Sequence, residues 1–160
     1  AQGFWKAFEN EMNYSLVQIE RASLGIDLNR YFPLFQPNFP REKSLIDTPQ
    51  RKNLNQQVQG LEKHKFLPLG DNWYVFNTLV NSIEYQHLGF EDLLTKKYEF
   101  LITNKFMDAW KTIRDIRNDG SHVAPLKKDQ YDILFTTIKD KHAFPPLICL
   151  KQKIINNGLT

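Results

Sequence analysis

The sequence predicts an all-α helical bundle carrying one irregular, proline- and aromatic-rich insertion. Apolar residues return at three- and four-residue spacings in one segment after another. The prolines and an Asn-Asp-Gly cluster fall between those segments rather than inside them. With 160 residues the chain suits a single domain, 1–160, long enough to close its own core. No internal repeat or low-complexity tract interrupts this organisation.

The opening helix is marked by Phe4, Phe8, Met12, Leu16 and Ile19, with Trp5 beside the stripe and Gly25 as its stop. Glu9, Glu11, Glu20 and Arg21 fall largely outside that stripe, and Glu20 and Arg21 are candidates to reach a site across the bundle. Residues 26–49 hold four prolines together with Tyr31, Phe32, Phe35 and Phe39. Such a stretch cannot run as a regular helix, yet its rings can lid a core, so it reads as an ordered insertion. Thr48-Pro49 opens a helix with a hydroxyl cap and a first-turn proline. Leu54, Val58 and Leu61 give that helix a thin apolar stripe ending near Lys65.

Pro68 to Asp71 reads as a turn, with Asp71 placed to cap a helix through Val75, Phe76, Leu79, Val80 and Ile83. The β-branched and aromatic content of that run leaves a strand as its alternative. The strongest helical signal covers Phe90 to Ile116. There Leu94, Tyr98, Leu101, Ile102, Phe106, Ala109, Trp110, Ile113 and Ile116 hold a 3.6-residue period. Asn118-Asp119-Gly120 is a turn signal expected to end it. A further helix from Lys127 to Lys139 is expected to bury Tyr131, Leu134, Phe135 and Ile138. Pro145-Pro146 then separates it from a short terminal helix with Leu147, Leu150, Ile154 and Ile155.

Composition narrows the chemistry. Cys149 is the only cysteine, which excludes a disulfide framework and a thiolate cluster and favours a reducing, cytoplasmic setting. In its apolar context Cys149 is expected to be buried and inert. No apolar run is long enough to cross a membrane and no signal peptide opens the chain. Because an amphipathic pattern begins almost at Ala1, the chain is expected to be a domain of a larger protein with further domains beside it. The net charge of +3 permits nucleic-acid contact without demanding it. His64, His87 and His142 stand apart, and no HExxH, CxxC or His-x3-His pattern is present, so no metal site is expected. The scattered glycines form neither a P-loop nor a dinucleotide fingerprint, and no cofactor is expected.

One stretch carries chemistry: Arg117-Asn118-Asp119-Gly120-Ser121-His122. It sets a permanent cation and a titratable imidazole near the end of a helix, with four residues between them. Arginine grips phosphate through parallel hydrogen bonds, and histidine is the side chain best suited to move a proton near neutrality. A helix ending in this motif and a returning proline-started helix occupy 90–139. That layout resembles the HEPN superfamily (higher eukaryotes and prokaryotes nucleotide-binding). Its members are helical bundles with an Arg, often followed by a polar residue, then four to six residues and a His. Arg117, Asn118 and His122 match that pattern, between the last two core helices.

The resemblance implies a metal-independent endoribonuclease, in a toxin, stress or phage-defence setting, or an inactive relative with the same fold. Arg117 and His122 are then the catalytic pair, with Asn118 and Ser121 orienting the imidazole or the phosphate. The resemblance also implies a homodimer whose two copies share a composite site on RNA. Arg114, Lys127 and Lys128 lie close enough in sequence to extend an RNA-binding edge. A non-catalytic helical module that binds protein or nucleic acid is the alternative, and a nucleotide sensor using the same cationic pocket is a third. Basic residues are favoured in the last turn of any helix, so Lys111, Arg114 and Arg117 also have a purely structural account. Lys63, His64 and Lys65 read as solvated surface.

Overall fold

The computed structural model describes residues 2–23, 67–122 and 125–158, and every regular element among them is helical. The insertion at 26–49, the helix expected from Thr48 to Lys65 and the Gly25 stop lie outside the described residues.

The opening helix is two helices, α1 (Gln2–Tyr14) and α2 (Leu16–Ser23). The break has a local cause. Ser15 Oγ donates to the Glu11 carbonyl at 2.6 Å, while Gln18 Nε2 reaches back to the Asn13 carbonyl at 2.7 Å. Hydroxyl back-bonding of this kind competes with the helical ladder and bends it. The apolar stripe survives the bend, and Phe8, Met12, Leu16 and Ile19 are fully buried. Glu9, Glu20 and Arg21, although charged, are buried as well.

Helix α3 (Leu69–Asn81) begins two residues before Asp71, which sits in its first turn. The first amide is served from α1, where Glu9 Oε2 accepts the Leu69 N–H at 3.2 Å. Beside it Asn13 pairs with both backbone groups of Leu67. Its Oδ1 accepts the N–H at 2.6 Å, and its Nδ2 donates to the carbonyl at 2.9 Å. A carboxylate at a helix N-terminus and a satisfied buried amide therefore fix where α3 starts. Val75, Phe76 and Leu79 are buried, but Ile83 is 83% exposed. The helix stops at Asn81, and a 3-10 segment (Ile83–Leu88) shifts the period and buries Tyr85 instead.

The long helix expected from Phe90 to Ile116 is also divided. A short α4 (Phe90–Asp92) runs into a π-helical turn (Leu93–Lys97), and an irregular link follows in which Glu99 takes a left-handed φ of 52°. Leu101 on this link is 71% exposed, while Phe100 turns inward. Thr103 then caps α5 (Asn104–His122), its Oγ1 accepting the Phe106 N–H at 3.2 Å.

Helix α5 continues through Asn118-Asp119-Gly120 to His122, so the expected turn is helix. Gly120 serves as a packing notch. A Cβ there would lie 2.7 Å from Leu126 Cδ2 and 3.6 Å from the Trp5 ring. The close approach sets Leu126, just before α6 (Lys128–Lys139), against the end of α5. Of the residues expected to be buried on α6 only Leu134 is; Phe135 and Ile138 are half-buried and Tyr131 is exposed. Helix α7 (Phe144–Asn157) carries Pro145 and Pro146 in its first turn rather than after a separating break. It buries Leu147, Leu150 and Ile154 and leaves Ile155 exposed; Cys149 is exposed too, against the expectation of a buried thiol.

The core centres on Trp110, which is fully buried among the rings of Trp73 (5.1 Å), Phe76 (5.4 Å) and Phe106 (6.1 Å). Helix α1 packs against α5, α6 and α7, and α2 against α3, α4 and α7. These contacts place the end of α5 beside the start of α6, where the Arg-His motif lies. No helix among the described residues is long and apolar enough to cross a membrane.

Candidate functional site

The last two turns of α5 hold the motif. Phe106, Ala109, Trp110, Ile113 and Ile116 define the buried stripe of this helix. At about 100° per residue, position 117 falls on the same side as Ile113, just past the end of the core. Arg117 is accordingly half-buried, with its Nη1 donating to Asn118 Oδ1 at 3.2 Å. It forms no ion pair among the described residues. Asn118 is exposed. Ser121 and His122 complete the last turn of the helix as backbone. Because the helix does not break between them, positions 117 and 122 lie about 140° apart round the axis and about 7.5 Å apart along it. The sequence expectation put His122 on a separate turn; a continuous helix spreads the pair over two faces instead.

The surrounding candidates are held to different degrees. The Arg114 guanidinium stacks on Trp73, 4.6 Å from the ring centre, and donates from Nε and Nη2 to Asp115 Oδ1 at 2.9 and 2.7 Å. Much of its donor capacity is thus engaged within the fold. Lys127 and Lys128 open α6 exposed, with Lys128 Nζ 4.0 Å from Asp132. Gln130 stitches the two helices. Its Oε1 accepts the Lys127 N–H at 3.1 Å and its Nε2 donates to Asp119 Oδ2 at 3.4 Å. The start of α6 is therefore fixed against the motif-bearing end of α5, and the basic residues of both share one end of the bundle.

Glu20 is held at α3 rather than at the motif. Glu20 is engaged by Asn72 of α3, whose Nδ2, oriented to donate, lies 2.7 and 2.9 Å from the two carboxylate oxygens. Complete burial drives the Glu20 carboxyl well above its usual range, with the neighbouring Arg21 charge offsetting part of the effect. Burial likewise pulls Arg21 down to about 10, against the attraction of Glu20. The signal for this buried polar set was present in the sequence. Glu20 continues the four-residue ladder of Phe8, Met12 and Leu16, and Asn72 lies three and four residues before Val75 and Phe76.

Away from the motif a concavity of about 470 Å³ opens between α5 and the end of α6, where Lys105, Asp108, Thr112, Thr137, Lys141 and His142 meet. His87 is exposed on the 3-10 segment, and His64 lies outside the described residues. Among the described residues no three His, Cys, Asp or Glu side chains converge as metal ligands. No protein-family model, curated protein or solved structure matches the chain.

Proposed function

We propose that this chain is a HEPN-type endoribonuclease domain that cuts RNA as a homodimer, at a composite site that draws on Arg117 and on the His122 of both copies. The reading rests on one observation: a helical bundle whose motif-bearing helix ends beside a returning helix, with Arg117 half-buried and without an ion-pair partner among the described residues. In the proposed reaction the ribose 2′-OH attacks the adjacent phosphorus. A neutral His122 takes the 2′-OH proton, and the protonated His122 of the second copy gives a proton to the 5′-oxygen as it leaves. Arg117 holds the phosphate and offsets the charge that grows on the phosphorane oxygens. A 2′,3′-cyclic phosphate and a 5′-hydroxyl result. No step requires a metal.

The register of α5 supports a site shared between copies. Two positions about 140° apart on one helix are poorly placed to grip a single phosphodiester. A two-fold partner approaching the end of α5 brings an Arg117 face of one copy to the His122 position of the other. The test is cleavage of a mixed-sequence single-stranded RNA in EDTA. Wild type should cut and leave 5′-hydroxyl ends, while Arg117→Ala and His122→Ala should each lose at least a hundredfold in rate. Mixing the two inactive variants should not restore cutting, because a mixed dimer carries one His122 and the proposed reaction uses two. Unchanged cleavage by either single variant removes the proposal.

The same angular divergence favours a second reading, a helical module that binds RNA or protein at this basic end without cutting it. RNA binding by a wild-type protein that never cuts would select that module.

A further inference from the structure

Helix α6 carries a regular ladder of alternating chemistry on one side: Lys127, Tyr131, Phe135 and Lys139, each four residues from the last. Four residues rise about 6 Å and rotate the next rung by about 40°, so the four positions form a stripe about 18 Å long that winds about 120° round the helix, with the two rings at its middle. The rings are set as a panel. Tyr131 and Phe135 are nearly parallel, 11° between planes and 6.1 Å between centres. Phe4 of α1 supports both on edge, at 6.1 and 5.4 Å. The panel is therefore backed by the bundle while Tyr131 remains 36% exposed, with no hydrogen-bond partner for its hydroxyl among the described residues. Lys139 Nζ stands 4.1 Å over the Phe135 ring, and Lys127 and Lys128 are exposed at the other end. The carboxylates nearby on α6 are Asp132, beside Lys128, and Asp129, about 160° round the helix from Tyr131.

We infer that this face of α6 holds a single strand of RNA, with a base stacked on the Tyr131–Phe135 panel and phosphates on the flanking lysines. Flat apolar faces between cations are what an unpaired polynucleotide complements, because every base has a π-face and every link a negative charge. The spacing discriminates against a duplex. Bases in a helix follow each other at about 3.4 Å along each strand, so rungs about 6 Å apart fit only bases that have been drawn apart. The choice of RNA over DNA rests on the proposed ribonuclease reading; strand binding itself does not depend on cleavage.

The test is fluorescence anisotropy with a 2′-O-methylated oligouridine of roughly 12 nucleotides, which cannot be cut through its 2′-oxygen. Wild type should bind it with at least tenfold preference over a hairpin of the same length. Tyr131→Leu, which keeps apolar packing against Phe4, should weaken binding about tenfold, and Tyr131→Phe should retain it. Lys139→Gln should lower the salt dependence by about 0.7 in log-log slope. Unchanged binding by Tyr131→Leu, or equal binding of the hairpin, overturns the inference and leaves the face to a protein partner. Wild-type cleavage with unchanged binding by Tyr131→Leu would keep the ribonuclease and remove this surface. Strand binding that falls in Tyr131→Leu without any cleavage would do the reverse.

Discussion

Replacing Asn13 with alanine should destabilise the bundle by about 4 kcal/mol. The Asn13 side chain is buried and makes three hydrogen bonds, to the Glu9 carbonyl and to the N–H and carbonyl of Leu67. The Glu9 carbonyl keeps its place in the α1 ladder when Asn13 is shortened. The two Leu67 groups lose their partner, and Leu67 is itself buried. Each orphaned backbone group costs about 1–3 kcal/mol, which gives roughly 2–6 kcal/mol for the pair. Urea unfolding followed by tryptophan fluorescence measures the difference, and hydrogen exchange at the Leu67 amide locates it. Asn13→Asp should cost at least as much at neutral pH, because it turns a carboxylate oxygen toward the Leu67 carbonyl. A loss below about 1 kcal/mol, or an unchanged exchange rate at Leu67, would show that this clasp is not what anchors the start of α3.

Glu20 gives a pH signature. Its folded pKa lies above its unfolded value, so its contribution is complete below the ordinary carboxylate range and is lost as pH rises through the folded pKa. Glu20→Gln should therefore gain stability relative to wild type between pH 4 and pH 7, as read by urea unfolding at both; the opposite trend would mean that Arg21 and Asn72 outweigh desolvation. Gly120→Val should destabilise by about 1–3 kcal/mol although valine suits a helix better than glycine, since its Cβ meets Leu126 at 2.7 Å; a raised Tm would refute the notch. Trp110→Ala, at the centre of the ring cluster, should cost about 3–5 kcal/mol by chemical denaturation, and a cost near 1 kcal/mol would mean the surrounding rings close the gap.

Helical class was readable because periodicity reports which residues face inward, and that holds even where the backbone breaks. Phe90, Leu94, Tyr98, Phe106, Trp110 and Ile113 are all buried, although a π turn and an irregular link separate them. The breaks themselves were less legible. Ser15 and Thr103 are ordinary residues in sequence, and only their hydrogen bonds to Glu11 and Phe106 make one a bend and the other a cap. Gly120 misled for a related reason. Asn-Asp-Gly stops a helix when nothing rewards continuing it, but here the missing Cβ admits Leu126 and Trp5, a tertiary contact no local rule registers. At the candidate site, the identity and spacing of Arg117 and His122 were visible in the sequence. Their angular relation was not, since it depends on whether the helix survives those three residues.

Helix α1 packs against α7, so an early segment of the chain meets a late one. Phe8 lies edge-on to Phe144 at 5.6 Å, and Glu11 is ion-paired with Lys151. On the ribosome, where residues appear at about 5–20 per second, Phe8 precedes its partner ring by 144 − 8 = 136 positions, or roughly 7 to 27 seconds. During that interval the apolar side of α1 exists without the helix that covers it. The growing chain is then a client for any factor that shields hydrophobic surface, and truncation within α7 would make that transient exposure permanent.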